Sequence, residues 1–257
     1  MIIPPLQGTC TQTESFIYAA CDSDYFDEFG YEFVNSIQHN TSFGIHVHLF
    51  NPTVDQLDFC RRQNVSVTFE SVPFDEFKSM STDCLNAKQL ERTHTAMIKG
   101  NDQSIAERLR KTYYACVRFI RLQEIFTGAT TVFSADIDAV VKSNIPFLDN
   151  TRDFYIHHIT GKKARFLAGG LWLNPNNQSK KFLQEYANQL RLNIQRDYIY
   201  WGLDQDVLDP IVPKYSYGHL PIEYIDWHMK DTSYIWTAKG KRKDLEIFKA
   251  EKLKYKD

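Results

Sequence analysis

The 257-residue sequence lacks the motifs of several large enzyme classes. It contains no G-x-G-x-x-G segment and no G-K-[ST] loop, so dinucleotide redox chemistry and P-loop phosphoryl transfer are not supported. It has no G-x-S-x-G elbow, so the pattern of the α/β serine hydrolases is missing too. Its five cysteines include no C-x-x-C pair, which argues against a zinc ribbon and against a regular disulfide framework.

The sequence also has little net charge and no long apolar run. The formal net charge of −2 gives no electrostatic reason to expect a nucleic-acid partner. No stretch approaches the ~20 apolar residues that a membrane span requires. The first residues, M-I-I-P-P-L-Q-G-T-C, lack the basic and apolar regions of a signal peptide. Together with an odd number of scattered cysteines, these features predict a cytoplasmic protein.

Aromatic residues, by contrast, are abundant. They make up 14% of the chain, with 14 Tyr, 18 Phe and 4 Trp. Sugars stack their C–H faces on aromatic rings, so this composition is compatible with carbohydrate binding, although an aromatic-rich core is the better explanation for most of these residues. With 43% hydrophobic residues, the chain can bury a full core in one domain.

Apolar runs of strand length alternate with segments of helical period, which predicts an α/β fold with a mostly parallel sheet. The first half reads βαβαβ: strands at 15–21, 44–50 and 65–69, a helix capped by Asp24, and a short helix after residue 53. Residues 71–104 are more polar and predict loops and a short helix that could form a lid.

The remaining elements complete one domain. We expect helices at 106–126 and 177–194, a basic closing helix at 244–255, an extended tail at 233–243, and strands at 130–134, 154–159 and 166–173. The predicted division is a nucleotide-binding half at 15–140 and an acceptor half with a basic C-terminal tail at 141–257.

Two carboxylates stand out at the end of the fourth predicted strand. The segment F-S-A-D-I-D-A-V-V places Asp136 and Asp138 directly after buried strand residues. Ligands of open α/β sheets bind at the carboxyl ends of the strands, and paired carboxylates there suit Mg²⁺ or Mn²⁺. The bare triplet is weak, because three D-x-D triplets occur and roughly one or two are expected by chance; a solvated turn remains the alternative.

Five segments in order resemble the GT-A glycosyltransferases, most closely the retaining family 8 group that includes glycogenin and lipopolysaccharide galactosyltransferases. They are I-Y-A-A-C-D at 17–22, Y-Y-A-C-V-R-F-I-R-L at 113–122, F-S-A-D-I-D at 133–138, F-L-A-G-G-L-W-L-N at 166–174 and G-L-D-Q-D-V-L at 202–208. The resemblance covers residues 15–245 and implies a single GT-A domain, a Rossmann-like nucleotide-sugar transferase fold with a mixed sheet flanked by helices.

The resemblance implies a role for each matching residue. The metal would be held by Asp136 and Asp138. Arg118, Asp204 and Gln205 would form the catalytic group, with Arg118 against the donor phosphate or Asp136. The donor nucleotide sugar would contact Ala20, Asp22, Asp136, Gly169, Gly170, Lys239, Gly240 and Lys243. For Asp204 a helix N-cap is the competing interpretation, and for the two glycines a β-bulge.

The tail departs from the family pattern. S-Y-I-W-T-A-K-G-K-R-K at 233–243 resembles the family's H-x-x-G-x-x-K segment, with Gly240 and Lys243 in register. Thr237 stands where the family has a metal-binding histidine, so Asp226, His228 or water would have to complete the metal shell. The basic residues Lys239, Lys241, Arg242 and Lys243 suit a diphosphate, although a solvated basic tail is the alternative.

Other clusters fit structural roles better. His46 and His48 share one face of a strand but lack further zinc ligands, so we expect ordinary buried histidines. His157 and His158 point to opposite faces and cannot chelate together. The basic helix 244–256, with Leu245 and Phe248 on its apolar side, either packs on the domain or makes peripheral contact with anionic lipid.

The sequence therefore predicts a hexosyltransferase. It would move a hexose from a nucleotide sugar, by resemblance a UDP-sugar, to an unidentified glycan, lipid or protein acceptor with Mn²⁺ or Mg²⁺. Two alternatives stay open. A nucleotidyltransferase that makes nucleotide sugars normally carries a Gly-rich basic loop after its first strand, whereas this strand ends in A-C-D-S-D-Y-F. A binding protein with a decayed catalytic site would account for Thr237.

Overall fold

The computed structural model describes residues 1–73, 75, 77, 85–100, 104–161 and 165–256. In this part of the chain, eight strands form one mixed sheet in the order β1-β4-β3-β2-β5-β8-β7-β9. Their bounds are β1 (Gln7–Gly8), β2 (Phe16–Asp22), β3 (Gly44–Phe50), β4 (Ser66–Glu70), β5 (Val132–Ala135), β7 (Phe154–Ile159), β8 (Arg165–Leu173) and β9 (Tyr217–His219). A second, two-stranded sheet pairs β6 (Ala139–Val141) with β10 (Ile235–Thr237).

Strand direction changes at the centre of the sheet. β2, β3, β4 and β5 are mutually parallel neighbours, whereas β8 runs antiparallel to both β5 and β7. β8 is therefore the first antiparallel strand beside the parallel half. The carboxyl end of β5 faces the middle of β8, where Ala135 pairs with Gly170.

Helices cover both faces of the sheet, as the sequence predicts. They are α1 (Ser23–Tyr25), continued by a π-helical turn (Phe26–Gly30) into α2 (Tyr31–Asn40), then α3 (Val54–Arg62), α4 (Ala87–Gly100), α5 (Ile105–Ile125), α6 (Asn177–Gln195), α7 (Leu203–Ile211) and α8 (Glu246–Leu253). None of the described helices is long and apolar enough to cross a membrane.

Side-chain alternation in the strands separates the core into two layers. In β2, Phe16 and Tyr18 pack with helices α5, α6 and α7, while Ile17, Ala19 and Cys21 pack with α2 and α3 on the other face. All five side chains are buried. Because this central strand is covered on both faces, it reads in the sequence as a continuous apolar run.

The predicted fold class and most elements are confirmed. Strands at 44–50 and 154–159 have the predicted bounds, α5 lies one residue earlier than predicted at both ends, and α6 is one residue longer at its C-terminal end. The helix predicted within 71–104 is present as α4, but with 14 residues it is longer than the short helix expected. Part of the predicted lid, residues 74, 76, 78–84 and 101–103, lies outside the described residues.

The predicted cap at Asp24 is wrong, and so is the competing interpretation of Asp204 as an N-cap. Asp22, not Asp24, caps α1: its side chain accepts a hydrogen bond from Tyr25 N at 3.0 Å. Gly202, in a left-handed conformation at φ +88°, precedes α7, so Asp204 lies inside the first helical turn and is not the N-cap. In both cases the chain turns into the helix two residues earlier than the polar side chain had suggested.

The C-terminal segment packs differently from the predicted extended tail. It forms β10, then a 3₁₀ turn (Gly240–Asp244), then α8. Phe248 anchors α8 in the core at 1% exposure, whereas Leu245, which was expected to pack beside it, is 46% exposed. Only one of the two apolar residues of this helix face therefore holds it on the domain.

Candidate active site

Asp136 and Asp138 lie in the connection between β5 and β6, beyond the carboxyl end of a central parallel strand. The tail reaches the same place. β10 pairs with β6 so that Thr237 lies opposite Ala139, and Ala238 N donates a hydrogen bond to Asp138 O at 2.9 Å. The 233–243 segment therefore lies beside Asp138 at the edge of the sheet, where the sequence analysis expects it to meet the carboxylates.

Arg118 joins Asp136 to two further elements. Its Nη1 lies 2.5 Å from Asp136 Oδ1, and its Nη2 donates to Ala168 O of β8 at 3.0 Å and lies 3.7 Å from Asp204 Oδ2 of α7. The arginine is fixed from behind by Tyr18, whose hydroxyl donates to Arg118 O at 2.7 Å. One guanidinium thus brings α5, β8, α7 and the Asp136 segment to a single point.

The charges at this point are mutually dependent. Burial opposes the charged form of Arg118, but the neighbouring Asp136 and Asp204 raise its pKa above the usual value. Burial raises the pKa of Asp204, and the charges of Arg118 and, less strongly, Lys239 oppose that shift. Arg118 therefore stays protonated and is the main cation that opposes the effect of burial on the pKa of Asp204.

Lys243 makes a corresponding contact with Asp138. Its Nζ lies 2.9 Å from Asp138 Oδ2 and 4.1 Å from the centre of the Tyr25 ring. Burial lowers the pKa of Lys243 to about 8, so the ammonium form still predominates at neutral pH. Burial, with the charge of Asp136, raises the pKa of Asp138 well above its usual value. Burial and Asp136 thus disfavour the charged form of Asp138, and Lys243 is the cation beside it.

The donor set of Asp136 and Asp138 fits a divalent ion shared with a substrate. Mg²⁺ is commonly held by one or two carboxylates, with water and substrate phosphates as the other ligands. Across the residues that the structure describes, no group of three His, Cys, Asp or Glu side chains could hold a metal. The site therefore suits an ion completed by a diphosphate and does not suit an all-protein cage.

Of the residues proposed to replace the missing histidine, Asp226 has its carboxylate engaged within its own loop. Thr237 is buried beside the Asp138 segment, and its N–H donates to Asp226 O at 2.9 Å. The Asp226 carboxylate accepts hydrogen bonds within its own loop, from His228 N, Lys230 N and Ser233 Oγ. Asp226 is therefore committed to the loop, and the idea that it completes a metal shell has no support in the structure.

The two glycines of β8 have different neighbours. A Cβ at Gly169 would lie 2.8 Å from Asp136 Oδ2. A Cβ at Gly170 would clash with Ile225 and lie 3.0 Å from Leu220 Cδ2. Gly169 thus lets Asp136 approach the strand, while Gly170 lets the 220–225 segment pack on it. The register between β7 and β8 shifts at this place: Ile156 pairs with Leu171 and the next residue, His157, with Leu167, so residues 168–170 of β8 have no partner in β7, as the β-bulge interpretation of the two glycines expects.

The two aspartates of the D-Q-D segment point to different partners. Asp204 is buried facing Arg118, whereas Asp206 accepts a hydrogen bond from Tyr200 Oη at 2.9 Å and lies within 4 Å of Lys88 and Arg92 of α4. Gln205 Oε1 is buried with no hydrogen-bond partner in the described part of the chain. This unused acceptor, three residues after Gly202, is available to a ligand.

The remaining predicted donor contacts lie around this centre. Ala20 and Asp22 lie at the end of β2, and Asp22 is both the last residue of that strand and the N-cap of α1. Burial raises the pKa of Asp22, and Arg110 opposes the shift. Gly240 has φ +61° and open space around it, and it begins the 3₁₀ turn that carries Lys243. Lys239 points elsewhere: its Nζ lies 5.5 Å from the centre of the Trp227 ring.

The paired histidines of β3 are structural, as predicted. His46 bonds Ser66 and Thr68 through its two ring nitrogens, at 2.8 and 2.9 Å, and His48 Nδ1 bonds Thr68 at 3.0 Å. Burial lowers the pKa of both rings, that of His46 to about 3, so they stay neutral. Sequence reasoning missed a different group, formed by His157, His219 and Trp227, because its members come from separate elements.

The sheet order, the acidic segment after β5 and the β6–β10 pair define the GT-A glycosyltransferase fold. No model of a known protein family and no curated protein matches this sequence. Among solved structures, the chain is similar to a galactosyltransferase, LgtC, in complex with donor and acceptor sugar analogues. The two share 14% identity over 93% of this chain and 95% of that one, with a TM-score of 0.53.

Two longer glycosyltransferases are similar as well. Glycosyltransferase GlyE of Streptococcus pneumoniae TIGR4 matches 95% of this chain and 60% of its own, at 14% identity and a TM-score of 0.55. The bifunctional glycosyltransferase WbbM matches 91% of this chain and 48% of its own, at 13% identity and a TM-score of 0.53. This chain thus spans roughly half of those two proteins. The resemblance stated from the sequence is confirmed at the level of the fold.

Proposed function

We propose that this protein is a metal-dependent hexosyltransferase that uses a nucleotide sugar, with UDP as the nucleotide. The observation that carries the proposal is the convergence of Asp136, Arg118 and Asp204 beside Asp138, at the carboxyl end of β5 in a GT-A fold. Charged side chains that are packed together at the ligand-binding edge of an α/β sheet are typical of a catalytic site.

Asp136 and Asp138 would bind Mn²⁺ or Mg²⁺ together with the donor diphosphate. When bound, the ion would neutralise the charge that develops on the leaving diphosphate. Lys243, already at Asp138, would add an ammonium donor, with Lys239 and Gly240 in the same segment. Ala20 and Asp22 would hold the nucleotide at the end of β2, and the backbone of Gly169 and Gly170 would border the donor sugar.

Arg118 would position the reacting groups. It holds Asp136 and Asp204 in fixed relation, so that a hexose between the metal site and α7 meets a preset arrangement. Asp204 or Gln205 would face the anomeric carbon, where the bond to the diphosphate oxygen breaks as the acceptor oxygen forms the new bond, and the acceptor proton would pass to the departing diphosphate. Following the resemblance, we propose that this exchange retains the anomeric configuration.

We propose that the protein acts in the cytoplasm. Cys10, Cys21, Cys60 and Cys116 are free, which fits a reducing compartment. The basic helix α8 leaves Leu245 and Ile247 exposed, so peripheral contact with a membrane that carries a lipid-linked acceptor is compatible with this surface.

A binding relic of the fold is the second candidate, and Thr237 favours it because it removes one expected metal ligand. The relic would bind UDP without releasing it from a UDP-hexose. A nucleotidyltransferase is less well supported, because α1 begins directly after β2 at Ser23 and leaves no room for a Gly-rich loop.

Calorimetric titration tests the proposal. UDP and a panel of UDP-hexoses are titrated into the wild type, Asp138→Asn and Asp231→Asn, with Mn²⁺ or with EDTA. We expect metal-dependent UDP binding that Asp138→Asn weakens at least tenfold, about 1.4 kcal/mol. Asp231, with a side chain 94% exposed, is the matched control and should bind UDP like the wild type.

A turnover assay separates the enzyme from the relic. Release of UDP from the UDP-hexose that binds, followed with Mn²⁺ present, supports the enzyme. Metal-dependent UDP binding without any release supports the relic. If neither UDP nor any UDP-hexose binds with Mn²⁺, the proposal fails in both forms.

A further inference from the structure

Beside the candidate active site lies a group of basic and aromatic side chains, which we call the histidine–tryptophan cluster. Its members are His157 of β7, His219 at the end of β9, Trp227, His228 and Lys239. The ring centre of His157 lies 4.9 Å from that of His219 and 5.2 Å from that of Trp227, edge to face. His228 follows at 5.9 Å from Trp227, and Lys239 Nζ lies 5.5 Å from the Trp227 ring centre.

The cluster is open to solvent yet firmly held. His157 is buried, and its Nδ1 lies 3.2 Å from Leu220 O. Trp227 is half-buried, whereas His219, His228 and Lys239 are exposed. The buried ring therefore fixes the floor of the cluster, and three basic side chains can reach a ligand that lies against the tryptophan.

Direct packing connects the cluster to the proposed transfer site. Leu220, which contacts His157 through its carbonyl oxygen, lies 3.0 Å from the position of a Cβ on Gly170. The preceding residue, Gly169, lies against Asp136. The cluster is thus connected through Leu220 to Gly170, the neighbour of the glycine that lies against Asp136.

The polar side chains of the cluster are all nitrogen bases. Burial lowers the pKa of His157, and the charged neighbours that lower it further, His219, Lys239 and His158, are bases as well. The nearest carboxylate in sequence, Asp226, has its oxygens occupied by His228 N, Lys230 N and Ser233 Oγ. Around Trp227 the cluster therefore presents an ammonium and imidazole N–H groups, which are hydrogen-bond donors that suit an oxyanion.

We propose that the histidine–tryptophan cluster is the acceptor subsite and that it takes a sugar carrying an anionic group, a phosphate or a carboxylate. Trp227 offers a flat apolar face for the sugar ring, and His219, His228 and Lys239 offer donors for the anion. The assignment rests on the proposed function, because only a nucleotide-sugar transferase needs a second sugar beside Gly169 and Gly170. In this assignment Lys239 contacts the acceptor, in addition to the donor contact that the sequence predicts for it.

The test compares charged and neutral sugars as acceptor probes. Methyl β-galactoside, methyl galacturonide and methyl galactoside 6-phosphate are titrated into the protein saturated with UDP and Mg²⁺, and binding is followed by ligand-observed NMR. We expect at least one anionic probe to bind about tenfold tighter than the neutral one, since charge-assisted hydrogen bonds are the stronger kind. Which anion is preferred distinguishes the phosphate from the carboxylate source.

Two variants test whether the tighter binding of the anionic probe arises at the histidine–tryptophan cluster. His219→Gln and Trp227→Leu should each reduce the binding of the preferred anionic probe at least threefold while UDP binds as in the wild type. His39→Gln, which changes an exposed histidine of α2 that packs on Tyr255, should bind every probe like the wild type.

Three results would overturn the assignment. One is equal binding of neutral and anionic sugars, another is an anionic preference that survives both cluster variants, and a third is inorganic phosphate binding as tightly as the sugar phosphate. Each of these would leave UDP binding intact, so the proposed function would stand. Loss of UDP binding in the wild type would instead remove the proposed function and this subsite with it.

Discussion

At the scale of single residues, Arg118 does most to arrange the candidate site. It contacts Asp136, Ala168 and Asp204, and both of these carboxylates would lose their nearest cation without it. Removing one partner of a buried ion pair typically costs about 3–5 kcal/mol, because the other charge is left uncompensated. The arginine therefore has a structural role even before any substrate binds.

The two glycines of β8 allow a matched prediction at the same scale. Gly169→Ala places a methyl group 2.8 Å from Asp136 Oδ2, so we expect the carboxylate to move and the affinity for UDP with Mn²⁺ to fall at least tenfold. Gly170→Ala instead overpacks Ile225 and Leu220, which should lower the free energy of unfolding by about 1–3 kcal/mol. Calorimetry and urea unfolding measure the two effects.

The comparison between these neighbours provides the control. Gly169→Ala should cost less stability than Gly170→Ala, because its contact is with a half-exposed side chain that can shift. If Gly169→Ala binds UDP like the wild type, then Asp136 does not need its present position against β8, and its role in the proposed site is lost.

At the scale of elements, the loop 226–233 shows how a buried carboxylate supports the site from outside it. Asp226 accepts three hydrogen bonds and pairs with Trp236, so it fixes the loop against β10. β10 in turn lies beside β6 and the Asp138 segment. The position of Thr237 next to the metal motif thus depends on Asp226.

Asp226 also predicts a pH dependence. Burial alone would raise its pKa, but hydrogen bonds from Lys230 N, Ser233 Oγ and His228 N outweigh this and lower it. A lowered pKa means that the carboxylate stabilises the fold above its unfolded pKa of about 3.9, and that this contribution is lost as the pH falls through the folded value. The free energy of unfolding of the wild type should exceed that of Asp226→Asn by about 1–3 kcal/mol at pH 7, and by clearly less at pH 3.

Urea unfolding at the two pH values measures this difference. Asp231→Asn, at the exposed side of the same loop, should match the wild type closely at both. A stability gap between wild type and Asp226→Asn that is the same at pH 7 and pH 3 would contradict the argument, since the Asp226 charge would then not be the cause.

At the scale of the whole molecule, the candidate site draws on elements from most of the chain. Arg118 comes from α5, Asp136 and Asp138 from the segment between β5 and β6, Asp204 from α7, and Lys243 from the turn before α8. A ligand bound among them connects both halves of the domain. We therefore expect it to stabilise the fold as a whole.

This expectation can be measured as thermal stability. UDP with Mn²⁺ at about 100 times its Kd should add roughly 2.7 kcal/mol, and each kcal/mol raises the Tm of a domain of this size by about 2–4 °C. Asp138→Asn should lose the shift at the same UDP concentration, whereas Asp231→Asn should keep it. A shift confined to one of two separate unfolding transitions would show that the site belongs to one half only.

The sequence alone determined the α/β class, most strands and the long helices, because period and apolar runs are local properties. It also pointed to Asp136 and Asp138, since a strand that ends in carboxylates is a local signal. The caps at Asp22 and Gly202 were not predictable in this way, because several polar residues near a helix start can serve as a cap and only the path of the chain selects one.

Tertiary structure decided which distant residues meet. Arg118 and Asp204 were expected at the site only through resemblance, and their distances to each other depend on how α5 and α7 pack on β8. His157 lies 63 residues from Leu220 in sequence, and nothing in either segment indicates their contact or the cluster around Trp227. Strand alternation fixes which face a residue occupies, but the partner across that face is fixed by the packing of the whole chain.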